Sequence, residues 1–502
     1  MSLAIKSAHT TESNTAEQRV GTGIEGLDLI LGGGLSANRL FLVEGTPGCG
    51  KTTLALQFLL AGAAAGEVVL YVTLSESHDE LRDVARSHGW DAGALHVLEV
   101  IPSDKALDPD SQYTVFHPSD VELSDAFRTV LAEVERLKPR RVVIDSLSEL
   151  RLLAEGPLHF RRQLLALKHF FNGRNCTVIV LDDQLFDLQI QSIAHGVIRI
   201  EQLAPSFGPH RRRLQIIKSR GIAYRGGFHD LVIRRGGLVV FPRIVAAELR
   251  GTSTREMVSS GVGEIDRLTG GGLERGTSTL ITGAAGTGKS TLAMQFALAA
   301  AERGERAAVF TFDESVATLT TRMRGLGMDA DRHIADGNIR LHQIDPAELS
   351  PGEFMCRVAD AAREPGISVL VIDSLNGYMH SMPEEHFLGL MLHELLTYLG
   401  QAGVATIVVS VQHGLIGTAM QSPVDASYIA DTVILLRYFE AFGEVRKAIS
   451  VMKKRGGAHE RTLSEFTLDP HGVRVGEPLR EFRGVLTGVP VYEGQTAPLQ
   501  KA

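Results

Sequence analysis

Residues 45–67 read GTPGCGKTTLALQFLLAGAAAGE, and residues 283–305 read GAAGTGKSTLAMQFALAAAERGE. In both stretches an apolar run typical of a strand leads into a glycine-rich loop, and the loop opens a helical pattern. In the pattern Gly-x-x-x-x-Gly-Lys-Ser/Thr, backbone N–H groups surround phosphate oxygens at the N-terminus of the helix. The two stretches therefore predict two phosphate-binding loops in one chain.

The rest of the chain repeats in the same way. Three further pairs recur in the same order: TGIEGLDLILGGGL (22–35) with SGVGEIDRLTGGGL (260–273), RRVVIDSL (140–147) with ISVLVIDSL (367–375), and IIKSRG (216–221) with VMKKRG (451–456). Such self-similarity indicates a tandem duplication. Its seam is predicted near the polar stretch LRGTSTREM (249–257).

Each half predicts an α/β domain with a mostly parallel sheet flanked by helices. Continuous apolar strands followed by helical patterns are typical of parallel strands that are covered on both faces. Later segments rich in β-branched residues predict added β-hairpins. We expect a disordered segment over 1–18, one domain over 19–248, a second over 249–487 and a flexible tail over 488–502.

Composition excludes several protein classes. The chain has 502 residues, a formal charge of −8 and only three cysteines, Cys49, Cys176 and Cys356. An acidic balance argues against a protein that coats nucleic acid, and so few thiols argue against a disulfide framework. The N-terminal stretch has no apolar core of signal-peptide length, and no apolar run reaches the length of a membrane span. We expect a cytoplasmic protein without a membrane segment.

The loops predict the ligands of a nucleotide with its magnesium ion. Lys51 and Lys289 are expected on the β- and γ-phosphates, and the hydroxyls of Thr52 and Ser290 on Mg²⁺. The full predicted loops are Gly45, Thr46, Pro47, Gly48, Cys49, Gly50, Lys51, Thr52 and Thr53 in the first half, and Gly283, Ala284, Ala285, Gly286, Thr287, Gly288, Lys289, Ser290 and Thr291 in the second.

Two further short motifs follow the loops. Asp145 and Asp373 each end an apolar strand, where an acid can hold the water shell of the metal. The stretches TLSES (73–77) and TFDES (311–315) each lie about twenty residues past a loop, at the end of an apolar run. The first offers one carboxylate, Glu76, and the second offers two.

Together these motifs resemble the RecA/RadA-like P-loop ATPases, and the retained duplication resembles the KaiC-like family. The resemblance covers about residues 20–487. It implies tandem RecA-like P-loop NTPase domains, a homohexameric double ring with ATP at each subunit interface, and Mg²⁺ as the second cofactor. It also implies a KaiB-like or other signalling protein as partner.

The resemblance implies that the acidic turn faces the γ-phosphate and activates the attacking nucleophile. On that basis Glu76, Asp313 and Glu314 are candidate catalytic residues. The usual pair of the family is Glu-Glu, and Ser75 stands where the first acid is expected. We therefore expect slower hydrolysis in the first half and a mainly structural role for its ATP.

The resemblance also implies residues that act on the neighbouring subunit. Lys218 and Arg220, and likewise Lys453 and Arg455, match a pair that reaches the neighbour's nucleotide, with Arg220 and Arg455 as catalytic arginines. His459 matches a histidine near the nucleotide. Basic residues on a sheet edge that discourages aggregation are the alternative for the two pairs, and a simple turn residue is the alternative for His459.

The stretch DASYIADTVILL (425–436) bears on phosphorylation. Autokinases of the family carry adjacent Ser and Thr acceptors before the matching Asp431. Ser427 occupies the first acceptor position and Tyr428 the second, so we expect Ser427 as the phosphoacceptor of a serine/threonine autokinase in the second half. A packing or capping role for Ser427 is the structural alternative.

The leading interpretation is an ATP-binding and ATP-hydrolysing protein with autokinase activity that acts in signalling or clock-like regulation. One alternative is a DNA-dependent ATPase of the RecA/RadA type, against which the acidic charge and the single Trp90 argue. A second alternative is an ATP-stabilised hexameric scaffold with little turnover.

Overall fold

The computed structural model describes residues 18–100, 118–154, 156–205, 208–249, 256–345, 347–380, 387–412, 428–486 and 490–494. These residues form two compact units. The first reaches Ala204 and also takes in His210–Arg243, and the second takes in Pro205–Pro209 and the chain from Ile244 onward.

The first unit contains strands and helices in alternation. Its strands are β1 (Arg19–Val20), β2 (Leu35–Ser36), β3 (Leu40–Gly45), β4 (Val69–Thr73), β5 (His96–Glu99), β6 (Arg141–Asp145), β7 (Thr177–Asp182), β8 (Gly196–Leu203), β9 (Arg211–Ser219), β10 (Phe228–Arg234) and β11 (Gly237–Phe241). Its helices are α1 (Glu25–Ile30), α2 (Lys51–Ala64), α3 (His78–Ser87), α4 (Pro118–Leu137), α5 (Leu147–Leu152), α6 (Pro157–Phe171) and α7 (Leu188–Ile193).

The second unit repeats most of this element order, with one added helix before its outer parallel strand, one added strand pair at its end, and no counterpart of α7 among the described residues. Its strands are β12 (Met257–Val258), β13 (Leu273–Glu274), β14 (Ser278–Gly283), β15 (Arg306–Thr311), β16 (Ile339–Gln343), β17 (Ile367–Asp373), β18 (Ala405–Val411), β19 (Thr432–Ala441), β20 (Glu444–Lys454), β21 (Ser464–Asp469), β22 (Gly472–Pro478), β23 (Phe482–Arg483) and β24 (Val491–Tyr492). Its helices are α8 (Gly263–Leu268), α9 (Lys289–Glu302), α10 (Val316–Gly325), α11 (Ala330–Ala335), α12 (Pro351–Ala362), α13 (Leu375–His380) and α14 (Leu388–Gln401), besides a short 3₁₀ turn at Ala246–Glu248.

The two large sheets have the same topology. The strand order is β5-β4-β6-β7-β3-β8-β9-β10-β11 in the first unit and β16-β15-β17-β18-β14-β19-β20-β21-β22 in the second. The first six strands of each order pair in parallel and the last three pair antiparallel. The predicted α/β class, with parallel strands and added hairpins, is thereby confirmed.

The central strand of each sheet is covered on both faces, which explains its continuous apolar sequence. In β3, Phe41 and Val43 pack into the core cluster that contains α2, and Leu40 and Leu42 pack into the cluster beneath α4–α6. Burying both faces of a parallel sheet is the usual solution for strands connected by helices. This packing holds the carboxyl end of β3, from which the first phosphate loop emerges.

No helix within the described ranges combines the length and the apolar character needed to cross a membrane.

Candidate nucleotide sites

Each predicted phosphate loop joins a central strand to the helix behind it. The loop of residues 45–50 connects β3 to α2, and residues 283–288 connect β14 to α9. Gly50 and Gly288, which cap the two helices, have φ values of 113° and 105°. A Cβ at Gly288 would also lie 2.7 Å from Leu468 Cδ1. Only glycine meets both the left-handed backbone and the lack of space.

Lys51 is held at the base of the first loop by three oxygen atoms. Its Nζ donates to the Gly45 carbonyl at 2.6 Å and to the Thr46 carbonyl at 3.1 Å. Asp183 Oδ1 lies 2.8 Å from the same nitrogen. The lysine is therefore paired with a carboxylate of its own chain.

Lys289 has a different environment in the second loop. Its Nζ donates to the Ala284 carbonyl at 2.7 Å, and Val411 occupies the sheet position that matches Asp183. Burial lowers the pKa of Lys289 to about 8, and Asp373 acts in the opposite direction. The two lysines thus differ in how far their charge is compensated.

Each strand-end aspartate meets the hydroxyl residue that follows the loop lysine. Thr52 Oγ1 lies 3.5 Å from Asp145 Oδ2, and the side chain of Ser290 forms a hydrogen bond with Asp373. Burial raises the pKa of both aspartates. A hydroxyl beside a carboxylate is the donor set that a loop-bound Mg²⁺ and its water shell require.

Tyr71 adds a hydrogen bond to this arrangement in the first half only. The tyrosine is fully buried on β4, and its Oη donates to Asp145 Oδ2 at 2.5 Å. Burial raises the pKa of Tyr71 well above its usual value, and the Asp145 charge adds to that effect. Val309 takes the equivalent position on β15, because Thr73 and Thr311 end the two strands.

The acidic turns have the same backbone construction in both halves. Thr73 Oγ1 donates to the Glu76 carbonyl at 2.8 Å, and Thr311 Oγ1 donates to the Glu314 carbonyl at the same distance. The serine that ends each stretch caps the next helix: Ser77 accepts from the Glu80 N–H, and Ser315 from the Thr318 N–H. This capping fixes where each carboxylate leaves the turn.

Glu76 lies in an acidic, partly buried environment. Burial raises its pKa to about 7, and the carboxylates of Asp145 and Glu80 act in the same direction. Its Oε2 atom is buried without a hydrogen-bond partner among the described residues. A carboxylate near Asp145 with a raised pKa has the character of a general base.

The acids of the second turn each have a partner. Asp313 Oδ2 accepts from the Ser374 hydroxyl at 2.5 Å. Glu314 Oε2 lies 2.8 Å from an Arg322 guanidinium nitrogen. Burial raises the pKa of Glu314, Arg322 lowers it, and Asp373 raises it.

A buried charge network lies directly below the first loop. Glu44, the residue before Gly45, is fully buried, and its Oε1 lies 2.7 Å from Arg199. Gln191 Nε2 donates to both Glu44 oxygens at 3.0 Å. Gln191 also belongs to α7, so the network connects the end of β3 to that helix.

The structure places Lys218 and Arg220 away from the loop of their own chain. Lys218 donates to the Gln191 carbonyl, and Arg220 donates to the Ser192 carbonyl at 2.9 Å. The Arg220 N–H donates to the His195 carbonyl. The His195 N–H donates in turn to the carbonyl of Leu40, the first residue of β3. Arg220 is therefore level with the far end of β3, about 16 Å from Gly45 at 3.3 Å per residue.

Lys453 and Arg455 have the equivalent place in the second unit. Lys453 donates to the Ala430 carbonyl and Arg455 to the Tyr428 carbonyl, both at 2.7 Å. The Arg455 N–H bonds the carbonyl of Asp431, whose own N–H bonds that of Ser278 at the start of β14.

His459 lies apart from the phosphate loop of its unit. His459 lines a cavity of about 330 Å³ together with Lys454 and Arg267. The predicted acceptor Ser427 lies outside the described residues. The loops, the hydroxyls, the strand-end aspartates and the acidic turns are thus brought together, whereas the basic pairs lie at the opposite edge of each sheet.

Sequence reasoning missed three residues that contact these sites: Tyr71, Asp183 and Arg322. Each differs from its counterpart in the other half, where Val309, Val411 and Val84 stand. A position-by-position comparison of the two halves would have revealed each polar-for-valine difference. The role of each difference becomes clear only in the folded structure, because the residues it contacts lie on other strands or two helical turns away.

The described residues fit a nucleoside triphosphate with Mg²⁺. Lys51 and Lys289 would hold the β- and γ-phosphates, the loop N–H groups would surround them, and Thr52 and Ser290 would ligate the ion. The bound ion would neutralise phosphate charge as the terminal phosphate is transferred.

Comparisons with known proteins agree with this arrangement. The family model described as "ATPase: KaiC" matches residues 20–244 and again residues 258–480. The chain is 28% identical over 488 residues to the circadian clock protein KaiC3 of Synechocystis sp., covering 95% of this chain and 96% of that protein. It is 28% identical over 501 residues to the circadian clock oscillator protein KaiC of Thermostichus vulcanus, covering 97% and 94%. The corresponding protein of Picosynechococcus sp. is 29% identical over 489 residues, covering 94% and 92%.

Proposed function

The chain belongs to the KaiC family of ATPases, and from that premise we propose that it binds ATP with Mg²⁺ in each half and hydrolyses it. We propose further that its second half phosphorylates Ser427 and that six copies form a double ring. The relatives are named for circadian clocks, and we extend this to a role in signalling, with a KaiB-like or other protein as partner.

One observation carries the proposal: each half combines a phosphate loop, a hydroxyl–aspartate pair and an acidic turn in one place. Thr52 Oγ1 lies 3.5 Å from Asp145 Oδ2, and the charge of Lys51 lowers the pKa of Asp145 against the effect of burial. The charge of Asp145 in turn adds to the effect of burial in raising the pKa of Glu76. A base near the metal ligands and a lysine at the phosphates are the parts that phosphoryl transfer needs. Glu76 and Glu314 would activate the attacking water, and Asp313 would assist in the second half.

The position of Arg220 supports an active site shared between two chains. Arginine stabilises phosphoryl charge by direct contact, and the length of β3 separates Arg220 from the loop of its own chain. Arg220 and Arg455 would therefore act on the ATP of a neighbouring copy, with Lys218 and Lys453 beside them. His459 would contact that nucleotide from the same edge.

An exposed apolar surface in the first unit supports association between copies. Leu152, Leu158 and Leu188 have 77%, 74% and 76% of their surface exposed. Each is next in the chain to a residue that lines a cavity of about 450 Å³ between α5, α6 and α7, whose lining includes Arg151, Phe160 and Ile190. Because α7 also holds Lys218 and Arg220, a neighbour that covers this surface would bring its nucleotide to the basic pair.

The contacts of Lys453 and Arg455 also support Ser427 as the phosphoacceptor. Arg455 contacts the Tyr428 carbonyl, and Lys453 contacts the Ala430 carbonyl. If Arg455 reaches the γ-phosphate of a neighbour, it brings its contact Tyr428, the chain neighbour of Ser427, toward that phosphate. Ser427 would thus receive the phosphoryl group from the neighbouring chain.

Labelled ATP separates hydrolysis from phosphorylation. Purified protein is incubated with γ-labelled ATP, and free phosphate and phosphosites are measured in wild type, Ser427→Ala, Glu314→Gln and the control Tyr428→Phe. We expect label on Ser427 in wild type and Tyr428→Phe, and none there in the other two. Absence of label in wild type would end the autokinase proposal and leave hydrolysis to be judged from free phosphate.

Light scattering tests the ring and the division of labour. We expect hexamers with ATP, their loss in Lys51→Ala and their retention in Lys289→Ala, because the ATP of the first half is proposed to be mainly structural. The reverse pattern would overturn that division. Addition of single-stranded DNA should leave ATP turnover unchanged, and a large stimulation would favour the recombinase-type alternative.

A further inference from the structure

Glu314 and Arg322 form an ion pair at the start of α10. Glu314 leaves the turn two residues before the helix, and Arg322 follows in its second turn. The carboxylate and guanidinium are 2.8 Å apart, with 22% and 36% of their side chains exposed. Helical side chains lean toward the N-terminus, so Arg322 reaches back over the turn.

The first half lacks this pair. Val84 takes the place of Arg322 on α3 and packs against the hydrophobic core. The charged groups that act on Glu76 are Asp145 of β6 and Glu80 of α3, and both are acids. In the second half, Arg322 of α10 and Asp373 of β17 act on Glu314.

We propose that Arg322 is a positioning residue of the second nucleotide site, where its guanidinium anchors the Glu314 carboxylate at the end of the acidic turn. This inference rests on the proposed role of Glu314 as the base. The pair is partly buried, so it is screened less than a surface ion pair. The capped start of α10 joins the anchor to the turn, which limits how far the carboxylate can move.

Arg322 gives Glu314 a nearby positive charge, which Glu76 lacks within the described part of the chain. Burial raises the pKa of both glutamates, but a cation opposes that effect only at Glu314 among the groups that act on them. Removing the cation should therefore make the second site lose activity at mildly acidic pH. A purely structural contact would not produce this dependence.

The test uses the full chain with Glu76→Gln, which removes the proposed base of the first site and leaves Lys51 to bind the ATP that holds the ring together. ATP hydrolysis is measured from pH 5.5 to 8.5 with Arg322 intact, with Arg322→Met and with Arg322→Lys. Methionine keeps much of the length without the charge, and lysine keeps the charge. We expect Arg322→Met to move the midpoint of the acid limb up by about one pH unit, with a loss that approaches about tenfold on the acid side of both midpoints and is small at pH 8.5.

Arg322→Lys should restore most of the original profile. Equal loss at every pH, or an unmoved midpoint in Arg322→Met, would overturn the inference. Circular dichroism and thermal unfolding of each variant show whether the fold is intact.

Glu314→Gln in the same background separates this inference from the proposed function. If glutamine hydrolyses ATP as well as the parent, the assignment of Glu314 as base is wrong. If glutamine abolishes hydrolysis and Arg322→Met leaves the midpoint in place, the positioning role alone fails.

Discussion

Lys51 Nζ lies 2.8 Å from Asp183 Oδ1, and Val411 stands at the corresponding position of the second half. The lysine of the first loop is therefore neutralised before any phosphate arrives, whereas the second lysine faces no carboxylate at that position. A bound triphosphate would have to share Lys51 with Asp183 or displace it. The two sites should differ in nucleotide affinity for this reason.

We predict that Asp183→Asn tightens ATP binding to the first half. The substitution keeps the shape of the side chain and removes a negative charge that competes with phosphate. We expect about a tenfold lower Kd, or about 1.4 kcal/mol. A fluorescent ATP analogue titrated into a Lys289→Ala background reports the first site alone. Val411→Asp should weaken ATP binding to the second half, because it adds a carboxylate beside Lys289. Weaker binding in Asp183→Asn would contradict the prediction.

Tyr71→Phe should impair the first nucleotide site without leaving a cavity in the hydrophobic core. The tyrosine is fully buried and its hydroxyl bonds Asp145. Phenylalanine removes the hydrogen bond to Asp145 Oδ2, so we expect the free energy of unfolding to fall by about 1 kcal/mol. We also expect slower ATP hydrolysis when the substitution is made in the Lys289→Ala background. Tyr224→Phe is the matched control, because among the described residues the Tyr224 hydroxyl bonds only the Ile217 carbonyl, at 3.4 Å. Equal effects of the two substitutions would show that the Asp145 contact has no special role.

Hydrolysis by the first half should rise steeply between pH 6 and pH 8. Burial raises the pKa of Glu76 to about 7, and a base acts only in its ionised form. About a tenth of the residue is ionised at pH 6 and about nine-tenths at pH 8. Initial rates of the Lys289→Ala protein across this range measure the effect. A flat profile would rule out Glu76 as the base.

The stability of the first unit should fall as the solution becomes acidic. His229 is buried, with one ring nitrogen bonded to the Arg225 carbonyl and the other accepting the Arg243 N–H. Burial lowers its pKa from 6.5 to about 4, so the unfolded chain binds the proton more readily below pH 6.5. Stability is complete above that value and decreases by up to about 3 kcal/mol as the pH falls toward 4.

Urea unfolding at pH 7 and pH 5 measures this change. His229→Gln should be less stable at pH 7 and should lose less on acidification. The same acid-induced loss in the variant would assign the effect to other groups.

The charge network below the first loop should behave as a unit. Glu44→Thr alone leaves Arg199 buried with an uncompensated charge, and we expect a loss of about 3 kcal/mol. The double variant Glu44→Thr with Arg199→Leu copies Thr282 and Leu435 of the second half. It should be clearly more stable than the single variant. Additive losses in urea unfolding would show that the two residues are not coupled.

The fold was predictable because apolar runs mark its strands and glycines mark the starts of its helices. Continuous strands such as LFLVEG, and helices opened by Gly50 and Gly288, depend on local sequence and on burial of both sheet faces. The strand-end aspartates were predictable for the same reason. The family resemblance is confirmed by the match over both halves.

The features that distinguish the two sites depend on contacts between distant segments. Lys51 and Asp183 belong to different strand–helix junctions, and the Tyr71 contact joins β4 to β6. Sequence patterns record neither pairing. Only the register of the sheet shows that these residues meet, and that Arg220 lies far from its own loop.

The placement of Arg220 also has a genetic consequence. On the proposed function, the working unit is the boundary between two molecules, since one supplies Lys51 and the other Arg220. A Lys51→Ala allele and an Arg220→Ala allele would each be inactive in the first half when expressed alone. Expressed together, the two variants would form some subunit interfaces in which the Arg220→Ala molecule supplies Lys51 and the Lys51→Ala molecule supplies Arg220. Two null alleles of this kind should therefore complement each other.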